Sequence, residues 1–217
     1  MRLWMLPHQK VLVFRGVISY QVGDVYYQND IAMGVVFEVG YDYIKIVALD
    51  DIKTSNGNYL YDGIAPSSWI NEETYPAAYD ENDGVINSNA FIDFVNSLAS
   101  YDFNTETNLT AFYMAWSYYV EDAEYPSDSS TFTWYIPSIN ELQTIVDDED
   151  GKISSGLTGA DGVSIAVGYN YWSSTLVKID GQDYSTKGYI LPTRSKERTT
   201  YVVTTDAYFR LVKKINF

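Results

Sequence analysis

Residues 134–142 read WYIPSINEL. A run with strand character, Thr133 to Pro137, passes without a linker into a helix start. Pro137 holds Ile136 extended, because a helical residue before proline clashes with its ring. Ser138 and Glu141 have the S-x-x-E spacing of a capping box, where each side chain satisfies the other residue's free backbone N–H. Ile139, Leu142 and Val146 then recur at helical spacing, which predicts a helix over 138–146. The stretch is a strand end joined through proline to a capped helix.

On either side the pattern is β. The N-terminal runs KVLVFRG, VISYQ, IAMGVVFEV and YIKIVALD are rich in Val, Ile, Phe and Tyr, with Gly16, Gly23 and Gly40 between them. Residues 52–83 read as loop. Phe91, Val95 and Leu98 behind a cap candidate at Ser88 predict a helix near 89–99, and Ala111, Met114 or Ala115, and Tyr118 a second near 109–120. After the capped helix, DDEDG at 147–151 reads as a solvated turn, and ISSGLTGADGVSIAVGYN as a long loop. YWSSTL, GYILPT, TTYVVTT and AYFRLVKKINF return to strand. In the last of these, Phe209, Leu211, Ile215 and Phe217 are expected on one face, with Arg210, Lys214 and Asn216 on the other. Strands, helices and strands again is an α+β order with antiparallel strands and two to three helices.

Composition narrows the chemistry. Among 217 residues there is no cysteine and one histidine, His8, which removes disulfides, thiol nucleophiles and Cys-based zinc sites. No G-x-S-x-G elbow accompanies the histidine. Residues 1–177 carry 6 Lys+Arg against 25 Asp+Glu, a net of −19, whereas residues 178–217 carry 8 against 4, a net of +4. The acidic body repels nucleic acid and anionic membrane, so neither is an expected partner. DDEDG lacks the spaced ligands and closing Glu of a calcium loop, so no metal site is expected there. No apolar run reaches the length of a membrane span, and MRLWMLPHQKVLVF makes a poor signal peptide. With 21 tyrosines, the chain has ample material for recognition surfaces or for an aromatic core.

WYIPSINEL at 134–142, NYWSST at 170–175 and FRLVKKI at 209–215, in that order, resemble the C-type-lectin-fold domain of bacterial surface and fimbrial adhesins, of the collagen-like-adhesin C-terminal-domain type. That family carries W-Y-L-P-S-x-x-E-L, Y-W-S-S-T and a final R-x-V-R strand. Here Ile136 replaces Leu, Leu211 is the variable position, and Lys213 stands for the last Arg. VGDVYY, GVVFEV and KIVALDD within 22–51, and DGVINSNAFI at 83–92, are similar as well. The resemblance implies a C-type-lectin-like domain over 22–217, with residues 1–21 as a strand segment used for docking or belonging to the same domain. It also implies framework roles for Trp134, Pro137, Ser138, Glu141, Trp172, Ser173 and Ser174. The two tryptophans would pack between helix and sheet, and the serines would satisfy backbone groups. The fold's formylglycine-generating enzymes need cysteines and its calcium lectins need E-P-N and W-N-D motifs, and this chain has neither.

The resulting expectation is a non-enzymatic, metal-independent and cofactor-free binding module, adhesin or fimbrial tip in type, outside the cell or on its surface. Its partner would be a glycan or protein receptor on another cell or surface. A receptor-binding protein of a phage or retroelement-diversified system and a structural assembly subunit are the alternatives, and a two-carboxylate glycoside hydrolase ranks last. Tyr184, Tyr189, Arg194, Lys196, Arg198 and Tyr201 are the candidate ligand-binding residues. They interleave aromatic rings with cations just before the final strand, in the fold's ligand-binding region. The same cations could instead offset neighbouring acids and protect an edge strand.

Overall fold

Hydrophobic runs that stay apolar over both alternating faces become inner strands. In the structure, a computed structural model describing residues 19–53, 60–62, 76–97, 134–165, 167–178 and 187–217, Met33–Phe37 and Ile44–Ala48 are buried without interruption. They lie in β2 (Ile31–Val39) and β3 (Tyr43–Asp51). Asn29 and Asp30, both at positive φ (52° and 64°), turn β1 (Val25–Gln28) into β2. Two left-handed residues match the right-handed twist of a hairpin, and Asn and Asp tolerate that conformation.

The last strand, β9 (Arg210–Asn216), pairs antiparallel with β3, so the first sheet runs β1-β2-β3-β9. The second sheet runs β4-β8-β5-β6-β7, from β4 (Tyr61–Asp62), β5 (Asn170–Leu176), β6 (Lys187–Pro192), β7 (Thr199–Val202) and β8 (Ala207–Tyr208). All these pairings are antiparallel except the single β5–β8 contact at Tyr171 and Tyr208. Three helices complete the described residues: α1 (Gly84–Ser97), α2 (Ile139–Asp147) and α3 (Lys152–Gly159). Trp134, Trp172, Phe37, Phe91 and Phe209 share the main core, while Ile139, Leu142 and Val146 of α2 pack on Tyr171 and Leu191. The fold is mixed α+β with antiparallel sheets.

Several local readings need correction. Helix α1 starts at Gly84, and Ser88 is buried inside it. The first turn is served by Asp83, whose Oδ1 accepts the Val85 N–H at 2.9 Å. The Gly/Ser-rich stretch after 151 forms α3, because Ile153 and Leu157 bury one helical stripe and Asp148 accepts the Ile153 and Ser154 N–H groups. Tertiary packing there overrides weak propensity. Along 209–217 Phe209 and Leu211 are buried and Lys214 and Asn216 exposed, as the alternation expects, but Arg210 is fully buried and Phe217, outside β9, is 67% exposed. Residues 19–21 form no strand. The runs at 10–18 and the helix read near 109–120 lie outside the described residues.

Candidate functional site

The corner at 134–142 is where the sheets and helices meet. Tyr135 exchanges both backbone hydrogen bonds with Val212 of β9 at 2.9 Å. Pro137 then ends the pairing, and its carbonyl accepts the Ser174 N–H (2.8 Å) and Oγ (3.1 Å) from β5. Ser138 caps α2 in a complete capping box: its Oγ accepts the Glu141 N–H at 3.3 Å, and Glu141 Oε2 accepts the Ser138 N–H at 2.8 Å. Glu141 Oε2 also takes the Gly84 N–H at 3.1 Å. A side chain at Gly84 would have its Cβ 2.5 Å from the Ile136 carbonyl oxygen, so only glycine lets α1 start against this corner.

The β5 side chains complete the seam. Thr175 Oγ1 accepts the Ile139 N–H and donates to the Asp80 carbonyl, and Asn87 bridges Asp80, Ser174 and Thr175. Ser173 Oγ donates to the Tyr189 carbonyl at 3.0 Å, and Trp172 Nε1 to the Thr205 carbonyl at 2.8 Å. Trp134, Trp172, Ser138, Ser173 and Ser174 are each 0% exposed.

The other carboxylate oxygen of Glu141 faces a charged row. Strand register sets Glu38, Lys45 and Lys214 side by side across β2, β3 and β9. The Lys45 ammonium lies 2.8 Å from Glu141 Oε1 and 3.1 Å from Glu38 Oε2. Tyr135 donates to Glu141 Oε1 at 3.1 Å and Tyr43 to Glu38 Oε1 at 2.7 Å, while Lys214 stands 4.4 Å over the Tyr43 ring. Burial pushes the Lys45 ammonium down, but Glu141 and then Glu38 outweigh it and hold its pKa above the ordinary lysine value. Burial, reinforced by the charge of Glu141, drives the Tyr135 hydroxyl far up.

These groups floor an open cleft of about 370 Å³ whose other wall is Asn82, Asp83, Asn140 and Thr144. Asn140 donates to Asn82 Oδ1 at 2.7 Å and accepts from Arg198, whose second nitrogen reaches Glu81 at 3.4 Å. Arg198 therefore stands behind the cleft wall.

The remaining candidates on 187–202 are dispersed. Lys196, at a left-handed φ of 57°, donates its ammonium to the Asp147 carbonyl at the end of α2 and accepts from Gln143. There its charge complements the helix C-terminus. Arg194 is exposed in the turn after β6. Tyr189 is half-buried, and Tyr201 is 38% exposed on β7. Tyr201 pairs with Gly188 and Tyr189 with Thr200, so the two rings leave opposite faces of the sheet. Tyr184 lies outside the described residues.

A second buried cluster ties the sheets together. Arg210 Nε lies 2.5 Å from Asp51 Oδ1, Arg210 Nη1 and Nη2 reach the Val163 carbonyl and Nη1 that of Ala48, and Tyr171 donates to Asp51 Oδ2 at 2.8 Å. Lys45 and Arg210 escaped the sequence reading as site residues. The available signal was a lone cation inside an apolar strand, which needs a buried partner. Among the described residues no group of three or more His, Cys, Asp or Glu could hold a metal ion, and no helix is long and apolar enough to cross a membrane.

No protein-family model matches the chain, and no curated protein matches it in sequence. Among solved structures it is similar to a fimbrial protein from Bacteroides ovatus, with a TM-score of 0.52 at 18% identity. The match covers 91% of this chain and 49% of the other, so the chain spans about half the length of that protein. The two share a fold.

Proposed function

We propose that the chain is a metal-independent ligand-binding module of a bacterial surface or fimbrial protein, adhesin or tip-type, built on a C-type-lectin-like domain and working outside the cell. The observation that carries this reading is the fold shared with the fimbrial protein. It is joined by the resemblance of WYIPSINEL, NYWSST and the final strand to adhesin domains. The partner is a glycan or protein receptor on another surface, and the residues proposed to meet it are Arg194, Lys196 and Arg198 with Tyr189 and, before them, Tyr184. Tyr201 leaves the opposite face of the sheet from Tyr189 and is not among them.

The test is a glycan and protein array with the purified chain, run with and without chelator. Binding unchanged by chelator, and weakened by joint charge reversal of Arg194, Lys196 and Arg198 with little change in melting temperature, is the expected result. Loss in chelator with recovery in calcium would refute metal independence. A structural fimbrial subunit is the second reading, favoured by Tyr201 and Val202 exposed on the terminal strand β7. Concentration-dependent self-association without any array ligand would select it.

A further inference from the structure

We propose that the cleft between the β2–β3–β9 row and the start of α2 binds a neutral saccharide. This deepens the binding-module reading and rests on it, but it places the ligand away from Arg194 and Tyr201. At about 370 Å³ the cleft falls at the small end of ligand sites, enough for one or two sugar rings. Most such sites are lined by apolar groups; this one is walled by amides, carboxylates, ammonium groups and a hydroxyl, with Tyr43 as its aromatic ring. An apolar ligand would strip water from those groups and return no hydrogen bonds.

Charge decides the next step. Three carboxylates (Glu38, Asp83 and Glu141) face two ammonium groups (Lys45 and Lys214), a net of −1 that draws no anion. Glu38 and Glu141 already hold Lys45 while Asp83 accepts the Val85 N–H, which weakens the pull on a cation. Lys214 lies over the Tyr43 ring. What the walls offer is a mixture of donors and acceptors. Beyond the Asn140–Asn82 and Arg198–Asn140 bonds the two amides keep N–H groups and lone pairs, and Thr144 Oγ1, which donates to the Asn140 carbonyl at 3.0 Å, keeps lone pairs. The wall therefore both donates and accepts, as every alcohol of a sugar does. One hydroxyl can donate to a carboxylate while accepting from an amide or ammonium.

The floor is also pre-formed. Lys45 and Glu141 are 7% and 3% exposed, one fixed by cross-strand register and the other by the capping box. A rigid floor lowers the ordering cost of binding. Stability alone explains this arrangement poorly, since apolar replacements of a buried ion pair are often neutral or stabilising.

The experiment is calorimetric titration of the full chain with methyl glycosides of glucose, galactose, mannose and N-acetylglucosamine, beside glucuronate and glucosamine. At least one neutral glycoside should bind, and Asn82→Ala or Thr144→Val should weaken it about tenfold without lowering the melting temperature. Val167→Ser, 81% exposed and outside both the cleft and the 184–201 candidates, should leave that affinity intact. The proposal falls if no neutral glycoside binds at roughly 50 mM, if only the charged sugars bind, or if both cleft variants bind as well as the parent. If the glycosides fail while the array finds a receptor, the module reading stands without the saccharide cleft. If both fail, both readings fall.

Discussion

Asp51–Arg210 and Lys45–Glu141 are both ion pairs anchored in β3, yet they meet solvent differently. The Arg210 side chain is 0% exposed and that of Asp51 6%, and each is completed by the protein itself through Ala48, Val163 and Tyr171. The Lys45–Glu141 pair is nearly as buried, but its third member, Glu38, has a 34% exposed side chain and opens onto the cleft. A closed pair has to be satisfied entirely from within, whereas an open one can exchange a lost partner for water or ligand. The closed pair reads as a clasp between sheets and the open pair as the floor of a site.

The largest effect should come from breaking the clasp. Arg210→Met leaves the Asp51 carboxylate buried without its cation, which typically costs about 3–5 kcal/mol. Burial already raises the Asp51 pKa, against the pull of Arg210 and Tyr171. A carboxyl with a raised folded pKa contributes most stability at or below its ordinary value and loses it as pH rises through the raised one. Without Arg210 that raised value climbs further. The Arg210→Met deficit should therefore be largest at pH 7 and shrink towards pH 4, as chemical denaturation at the two pH values would show. A deficit that grew in acid would mean that Asp51 is not the group left stranded.

Lys45→Met should cost less, about 2 kcal/mol, because Glu141 keeps the Ser138, Gly84 and Tyr135 donors and the cleft admits water. Equal losses for Lys45→Met and Arg210→Met in urea would erase the distinction between open and closed pairs.

The alkaline limb sharpens the same comparison. Lys45 and Tyr135 both hold their protons more tightly in the folded state. Each contribution is complete below its ordinary value, 10.5 and 10.0, and is lost as pH rises above it, because the unfolded chain releases the proton first. Stability should fall above pH 10 with a slope that Tyr135→Phe reduces. A slope unchanged in that variant would place the alkaline transition elsewhere, since Arg210 stays charged throughout.

The contrast also explains what could be read in advance. The capped corner was legible because its signals are local: Pro137 fixes one residue and Ser138–Glu141 closes within a single turn. The α+β order followed from periodicity. The sequence did not reveal that Glu141 serves two structures at once, because its other oxygen meets a strand nearly one hundred residues upstream. Arg210 looked like an outward residue because alternation is a two-face rule, and β9 is covered on both faces where Arg210, Leu211 and Val212 are all buried. Helix α3 was hidden by its Gly and Ser content, with only Ile153 and Leu157 to mark its packed stripe. The cleft wall was equally obscure: Asn82 and Asn140 are ordinary polar residues until topology brings them within 2.7 Å.

The smallest effect tests whether the corner is framework or site. Ser138→Ala removes one half of the capping box, a loss of about 1 kcal/mol. For a chain of this length that is a fall of about 2–4 °C in melting temperature. Glu141 keeps its bond from the Ser138 N–H, because that donor is backbone and survives the substitution, so the carboxylate should stay aimed at Lys45. Ligand affinity should therefore be unchanged while the melt shifts. Unchanged melting with abolished binding would instead put the Ser138 hydroxyl, 0% exposed in the folded chain, in contact with ligand and would require the corner to open. A loss of both would show that the cap holds Glu141 in place, joining framework and cleft floor in one unit.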